Sequence, residues 1–122
     1  PTWVLDNHDH PRSVTRLADD PETGRRRSLA LTSFLLALPG IVCLYQGQEL
    51  GLPNVDDLPD SVLQDPIWER SGHRDRGRDG CRVPLPWAAG EEAFGFTPTG
   101  SAADPWLPQP ASFAATTAAC IF

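Results

Sequence analysis

Two short apolar runs and one amphipathic segment dominate the first part of the chain. Residues 2–5 (TWVL) and 41–44 (IVCL) are uninterrupted apolar runs, which favour strands buried on both faces, as in a parallel sheet. Between them, from Glu22 to Leu38, apolar residues recur at intervals of three and four, which predicts a helix. The Asp-Pro pair before this segment and the Pro-Gly pair after it are typical of helix ends. The pattern therefore predicts a βαβ unit, which joins parallel neighbours of one sheet.

The chain after Gly51 shows neither a helical nor a strand period. Nine of the 13 prolines lie there, and an irregular stretch of this length is normally a functional loop or a disordered segment. Disordered segments have few aromatic residues, whereas this one contains Trp68, Trp87, Phe94, Phe96 and Trp106. We therefore expect a βαβ unit at 1–51 and a long ordered loop at 52–122.

Composition and charge argue against several classes of function. The net charge is −6, and without a basic face a nucleic-acid partner is not expected. No apolar run reaches the about 18–20 residues of a membrane span, so no membrane partner is expected. Three scattered cysteines without a C-x-x-C pair are typical of free thiols in a reducing compartment, which predicts a cytoplasmic location. The chain starts at a proline and has no methionine, so we expect it to be a piece of a longer protein.

A polar cluster follows each apolar run. DNHDH occupies residues 6–10 and YQGQELG occupies residues 45–51. Because the carboxyl ends of parallel strands emerge on the same face of a sheet, both clusters are expected on one face. That face carries the active site in TIM barrels, and a doubly wound sheet would also place the clusters near its binding crevice.

Three interpretations of DNHDH remain open from the residues alone. Asp and Asn after a strand commonly form Asx turns, which is a purely structural role. His8 and His10 alternate like metal ligands, but a metal needs further ligands, and His73 is the one other histidine, within the proline-rich loop. In a sugar site, Asp9 would bind hydroxyl groups together with an imidazole and the guanidinium of Arg12.

Four segments resemble a known enzyme family. They are NHDHPR, LPGIVCLYQGQELG, GRDGCRVPLPW and GFTPTG…WLPQP. In this order and at these separations they resemble glycoside hydrolase family 13, the α-amylase superfamily, in its α-glucosidase and oligo-1,6-glucosidase branch. Together they span nearly the whole chain.

The resemblance implies a fold class and an activity. The fold would be α/β, a partial (β/α)8 TIM barrel with strand seven, helix seven, strand eight and a long loop over the active-site face. The chain would be a C-terminal fragment of the catalytic barrel of a retaining α-glucosidase. Such an enzyme hydrolyses terminal α-linked glucose from short oligosaccharides, and the resemblance implies neither a cofactor nor a metal.

The same resemblance assigns roles to individual residues. Asp9 matches the carboxylate that stabilises the transition state without attacking, and His8 matches its partner at the sugar hydroxyls. Arg78 and Arg82 match two loop arginines near the glucose, and Glu49 matches a structural anchor of the strand-eight loop. The nucleophile and the acid/base follow strands four and five in this family. Those strands are not in this chain, so we expect the chain alone to be inactive.

Two alternatives to an α-glucosidase are open. A trehalose- or sucrose-converting relative would carry the same strand-seven and strand-eight segments. A non-catalytic homologue would tend to lose the sugar contacts, and the joint presence of His8, Asp9, Arg78 and Arg82 argues against it.

Overall fold

Two parallel strands form the sheet of the first half of the chain. The computed structural model describes residues 1–101 and 103–120, and the chain divides into two units, Pro1–Asn54 and Val55–Phe122. In the first unit, strand β1 (Thr2–Val4) pairs in parallel with strand β2 (Ile41–Cys43). This is the parallel pairing that the two apolar runs predicted.

Two helices connect the strands. Helix α1 spans Ser13–Leu17 and helix α2 spans Pro21–Leu36. Helix α2 starts where the Asp-Pro pair predicted, because the Asp20 carboxylate accepts the N–H of Thr23 at 2.9 Å and caps the first turn. Hydrogen bonds from the side chain and from the backbone N–H of Thr23 lower the pKa of Asp20. Helix α1 was not predicted, because five residues are too few to show a 3.6-residue period.

The buried side of helix α2 differs from the side that the apolar pattern predicted. Small residues face inwards, namely Gly24, Ser28 and Thr32, whereas Phe34 is 59% exposed. Close approach of the backbone explains this choice, because a Cβ atom on Gly24 would lie 2.1 Å from the carbonyl oxygen of Val14 in helix α1.

The close approach at Gly24 makes a strong prediction. Gly24→Ala should lower the free energy of unfolding by about 3 kcal/mol, because a rigid backbone carbonyl cannot yield as a flexible side chain would. Gly90→Ala is the matched control, since nothing lies within 4 Å of a Cβ atom built there. Urea unfolding of the two variants of the complete protein measures the difference, and equal stabilities would contradict the close packing of Gly24 on Val14.

The strands are more exposed than their apolar sequences predicted. Val4 is 52% and Ile41 is 66% exposed, and only the central residues Trp3 and Val42 are half-buried. In this chain the two strands therefore lack the burial on both faces that a strand within a larger parallel sheet has. The reason is that a sheet of two strands gives each strand a single neighbour, and the described residues cover its faces only in part.

The second unit is built from irregular segments and short helical turns. Helix α3 spans Pro66–Arg70, and 3₁₀ turns lie at Asp60–Val62, Asp79–Cys81, Glu92–Gly95, Ala111–Ala115 and Ala118–Cys120. These turns surround a core of Val55, Leu58, Cys81, Val83, Leu85, Leu107 and Phe113. An irregular but packed segment is what the prolines and aromatic residues together predicted. Within the described residues, no helix has the length and apolar character needed to cross a membrane.

Candidate functional site

The DNHDH segment begins with a buried structural anchor. Asp6 is only 3% exposed, and its carboxylate accepts hydrogen bonds from the N–H and the hydroxyl of Ser13, both at 2.8 Å. Arg16 donates to the same carboxylate at 3.1 Å. The side chain of Asn7 then accepts the N–H of Asp9 at 2.8 Å, which is an Asx turn. Asp6 and Asn7, the first two residues of the segment, therefore have structural roles.

The next two positions present polar groups to solvent. The side chains of His8 and Asp9 are 67% and 46% exposed, and His8 Nε2 lies 3.5 Å from Asp9 Oδ2. Both residues lie within the Asx turn that Asn7 forms after β1. A carboxylate accepts hydrogen bonds and an imidazole donates or accepts them, so this pair is suited to binding neighbouring hydroxyl groups.

The part of the chain that the structure describes contains no cluster of metal ligands, as the metal interpretation would require. No group of three or more His, Cys, Asp or Glu residues there could hold a metal ion. His73, the third histidine, lies in the second unit. There it stacks on Trp68 with 4.8 Å between ring centroids and approaches Glu69 at 3.1 Å.

Arg12 is a buried link between the two polar clusters of the first unit. It is 1% exposed, and its Nη1 donates to the carbonyl of Gln46 at 2.6 Å. Its guanidinium also lies over the ring of Tyr45, 5.0 Å from the centroid, at a distance typical of a cation–π interaction. Arg12 therefore ties the segment after β1 to the segment after β2. The sequence interpretation placed it among sugar ligands, and its burial indicates a supporting role instead.

Gln48 is the side chain that anchors the segment after β2. It is 1% exposed, donates to the hydroxyl of Thr32 in helix α2 at 3.0 Å, and accepts the N–H of Tyr45 at 3.2 Å. Glu49, for which the resemblance implied this role, is exposed. The structure therefore assigns the anchoring role to Gln48.

The predicted loop arginines lie in the second unit, on either side of one 3₁₀ turn. Arg78 donates through Nε and Nη2 to the carboxylate of Asp65, at 2.5 and 3.2 Å. Arg82 Nη1 lies 3.7 Å from the same carboxylate. The side chain of Asp65 is 1% exposed, while those of Arg78 and Arg82 are 42% and 19% exposed. One buried carboxylate thus organises both arginines, and the sequence interpretation did not include it.

The carboxyl group of Asp65 is held in its ionised form. The hydrogen bonds from the Arg78 side chain hold the pKa of Asp65 well below its usual range, against burial, which acts to raise it. A carboxyl group with a lowered folded-state pKa stabilises the fold above its unfolded-state pKa of about 3.9, and this contribution is lost as the pH falls towards the folded-state pKa.

The lowered pKa of Asp65 predicts how the stability of the fold depends on pH. The difference in free energy of unfolding between wild type and Asp65→Asn should stay constant from about pH 7 to 5 and narrow below about pH 4. Urea unfolding at a series of pH values measures it, and Asp60→Asn, at an exposed position, corrects for acid effects elsewhere. A difference that grows as the pH falls would contradict the stated sign.

A groove of about 480 Å³ lies within the second unit. Two aromatic side chains, Phe94 and Trp106, and two carboxylates, Glu92 and Asp104, are among the residues that line it. Trp106 is 57% exposed. Aromatic faces next to carboxylates can contact both the apolar face and the hydroxyl groups of a sugar ring.

Comparison with known proteins identifies the class of the chain. It is an α/β segment with polar residues directly after its first parallel strand, and the family described as Alpha amylase, catalytic domain, matches it over residues 1–120. The chain belongs to the alpha-amylase family, glycoside hydrolase family 13. Its structural neighbours are TIM-barrel enzymes of this family.

Curated relatives of the chain are glycosidases. A probable alpha-glucosidase of Rhizobium meliloti (strain 1021) is 41% identical over 106 residues, which cover 87% of this chain and 18% of the relative. Oligo-1,6-glucosidase IMA5 of Saccharomyces cerevisiae is 35% identical over 135 residues, which cover 92% of this chain and 22% of the relative. The chain therefore spans about a fifth of the length of the curated relatives it matches.

Solved structures similar to the chain include an alpha-glucosyl transfer enzyme and an isomaltulose synthase. The alpha-glucosyl transfer enzyme XgtA is 37% identical with a TM-score of 0.81, covering 99% of this chain and 21% of that one. A mutant isomaltulose synthase from Erwinia rhapontici NX5, in complex with its natural substrate sucrose, is 27% identical with a TM-score of 0.75. The match covers 98% of this chain and 24% of the synthase.

Proposed function

We propose that the chain is the strand-seven to strand-eight segment, with the loop that follows, of the catalytic barrel of a retaining α-glucosidase. The complete protein, whose reading frame contains this chain, would hydrolyse terminal α-linked glucose from short oligosaccharides. The observation that carries the proposal is the exposed pair His8 and Asp9, held by an Asx turn directly after β1. It occurs in a chain that matches the family over residues 1–120. The cytoplasmic location stays a prediction.

Asp9 is proposed to stabilise the transition state rather than to attack the substrate. Its carboxylate would accept hydrogen bonds from the 2- and 3-hydroxyl groups of the glucose that is being cleaved off, and His8 would bind the same hydroxyl groups. Contacts to the 2-hydroxyl strengthen as the ring distorts towards an oxocarbenium-like state, and only contacts that strengthen there accelerate the chemical step.

The remaining roles are divided between the second unit and the rest of the complete protein. Arg78 and Arg82 are proposed to bind the glucose, one through a direct contact with a hydroxyl group and one in support of it. The nucleophile and the acid/base would follow strands four and five. Retention of configuration requires these two carboxyl groups about 5–5.5 Å apart.

The test combines the reading frame with an assay. The frame upstream of Pro1 should encode an Asp and a Glu at the ends of two earlier barrel strands. The expressed product should release glucose from maltose or isomaltose, and the ratio of the two rates gives the linkage preference. Replacement of either carboxylate in the frame, or a purified, folded product that releases no glucose, would overturn the proposal.

A second candidate activity is the conversion of sucrose into an isomer. The likeness to the isomaltulose synthase and to a trehalulose synthase, which is 26% identical with a TM-score of 0.75, favours it. Analysis of the products from sucrose separates the two activities. A hydrolase gives glucose and fructose, whereas an isomerase gives a rearranged disaccharide.

A further inference from the structure

Two buried aspartates of the second unit, Asp65 and Asp79, join two turns to each other through hydrogen bonds. The carboxylate of Asp65 accepts the backbone N–H of Arg78 at 3.0 Å in addition to the two bonds from its guanidinium. In the opposite direction, Asp79 Oδ2 accepts the backbone N–H groups of Gln64 and Asp65, at 2.6 and 2.9 Å. Each turn therefore supplies the carboxylate that satisfies the backbone of the other, and neither carboxylate can shift without breaking charge-assisted bonds.

This reciprocal arrangement fixes the orientation of Arg78. An arginine side chain has high rotamer entropy, but a fork of two parallel N–H···O bonds to one carboxylate holds its guanidinium plane. Asp65 is itself immobile, because it is 3% exposed and its other hydrogen bond caps helix α3 through the N–H of Ile67 at 3.1 Å. The Arg78 side chain nevertheless remains 42% exposed, so it is held by Asp65 and still accessible from solvent.

We propose that Asp65 is a positioning residue for sugar binding, which acts by holding the guanidinium of Arg78 in the orientation that binds a hydroxyl group of the glucose. This inference rests on the proposed function, and it identifies Arg78 as the one of the two loop arginines that contacts the sugar directly. Asp65 does not touch the substrate. Its carboxylate fixes the positions of the Arg78 N–H groups. Asp79 in turn holds the backbone of Asp65.

The kinetic test uses Asp65→Asn in the complete protein. Asn is close in size and still caps helix α3, but it loses the ionic fork to Arg78. We expect the KM for an α-glucoside to rise by about 10- to 100-fold, which corresponds to the loss of a charge-assisted hydrogen bond, with little change in kcat. Binding that is equal in the ground state and the transition state appears in KM alone.

Asp60→Asn is the matched control for this test. Asp60 is also an aspartate of the second unit paired with an arginine, Arg76 Nη1 at 2.6 Å, but its side chain is 68% exposed. An exposed ion pair contributes little, and Asp60 has no proposed role at the sugar. Its replacement should leave KM and kcat at the wild-type values. An equal rise in KM for both variants would show a general effect of lost charge and would overturn the proposal.

A double-mutant cycle tests whether Asp65 acts through Arg78. Arg78→Lys removes the planar fork, and in that background Asp65→Asn should raise KM by less than about threefold, because the pair no longer exists to be broken. Fully additive effects would mean that Asp65 acts by another route. Asp65→Ser serves if Asp65→Asn does not fold, since Ser is also a good helix cap and removes the fork as well.

A spectroscopic measurement separates failure of this inference from failure of the proposed function. In wild type, the ¹⁵Nε–H signal of Arg78 should be resolved and protected from solvent exchange, and in Asp65→Asn it should exchange rapidly. If the complete protein cleaves no α-glucoside while this change is observed, the proposed function fails but the positioning of Arg78 stands. If the protein is active and neither KM nor the signal changes in Asp65→Asn, the positioning role is wrong and the proposed function stands.

Discussion

Asp9→Asn in the complete protein is expected to lower kcat/KM for an α-glucoside by about 10³-fold or more while leaving the fold intact. Asn has the same shape but carries no charge, and it can accept hydrogen bonds at one oxygen only. The loss should be greatest in kcat, because the proposed contacts to the sugar hydroxyls strengthen in the transition state. The side chain is 46% exposed, so the substitution is expected to cost the fold little.

Initial rates with maltose or isomaltose and a thermal melt measure the two parts of this result. Asp19→Asn is the matched control, since Asp19 is another exposed aspartate of the first unit and has no proposed role at the sugar. It should retain wild-type rates. Near-normal turnover by Asp9→Asn, or a large drop in its melting temperature, would show that Asp9 does not have the assigned role.

The strands and the main helix could be predicted because their signals are local. Uninterrupted apolar runs gave the parallel pairing of β1 and β2, and the Asp-Pro pair gave the start of helix α2. The buried side of helix α2 could not be predicted from its apolar residues. Its packing depends on the close approach of Gly24 to Val14, and a small residue carries no hydrophobic signal.

Tertiary contacts, rather than local sequence, give Asp6 and Asp9 different roles within DNHDH. Asp6 and Asp9 are the same residue type three positions apart, and nothing local distinguishes them. What separates them is Ser13, which bonds to Asp6 and shares a 2.6 Å contact with the hydroxyl of Ser28. Sequence alone therefore left the structural and the sugar interpretations open, and the structure accommodates both, at different positions of the segment.

Asp65 was missed for a related reason. Its local signal, an Asp before a Pro, indicates only a helix start, and it does cap helix α3. Its second use, holding Arg78, joins residues 13 positions apart through two irregular turns whose relative placement has no periodic pattern. The roles of Arg78 and Arg82 came from the family resemblance, and their common partner became visible only in the structure.

Asp6→Ala is expected to destabilise the protein by about 3 kcal/mol, in contrast to Asp9→Asn. The substitution leaves the N–H of Ser13 without its acceptor in a buried site, since Ser13 is 0% exposed. It also removes the ion pair with Arg16, which contributes less because the side chain of Arg16 is 39% exposed. Urea unfolding of the complete protein measures the loss, with Asp19→Ala as the exposed control.

Comparison of Asp6→Ala with Asp9→Asn tests whether the two aspartates of DNHDH have separate roles. If Asp6 is an anchor and Asp9 a sugar ligand, Asp6→Ala should lower stability and retain most of its kcat under conditions where it is folded, while Asp9→Asn should do the reverse. Ser13→Ala should be less additive with Asp6→Ala than with Asp9→Asn, because Asp6 accepts two hydrogen bonds from Ser13. Loss of both stability and rate in both variants would mean that DNHDH acts as one structural turn, and the assignment of Asp9 would fail.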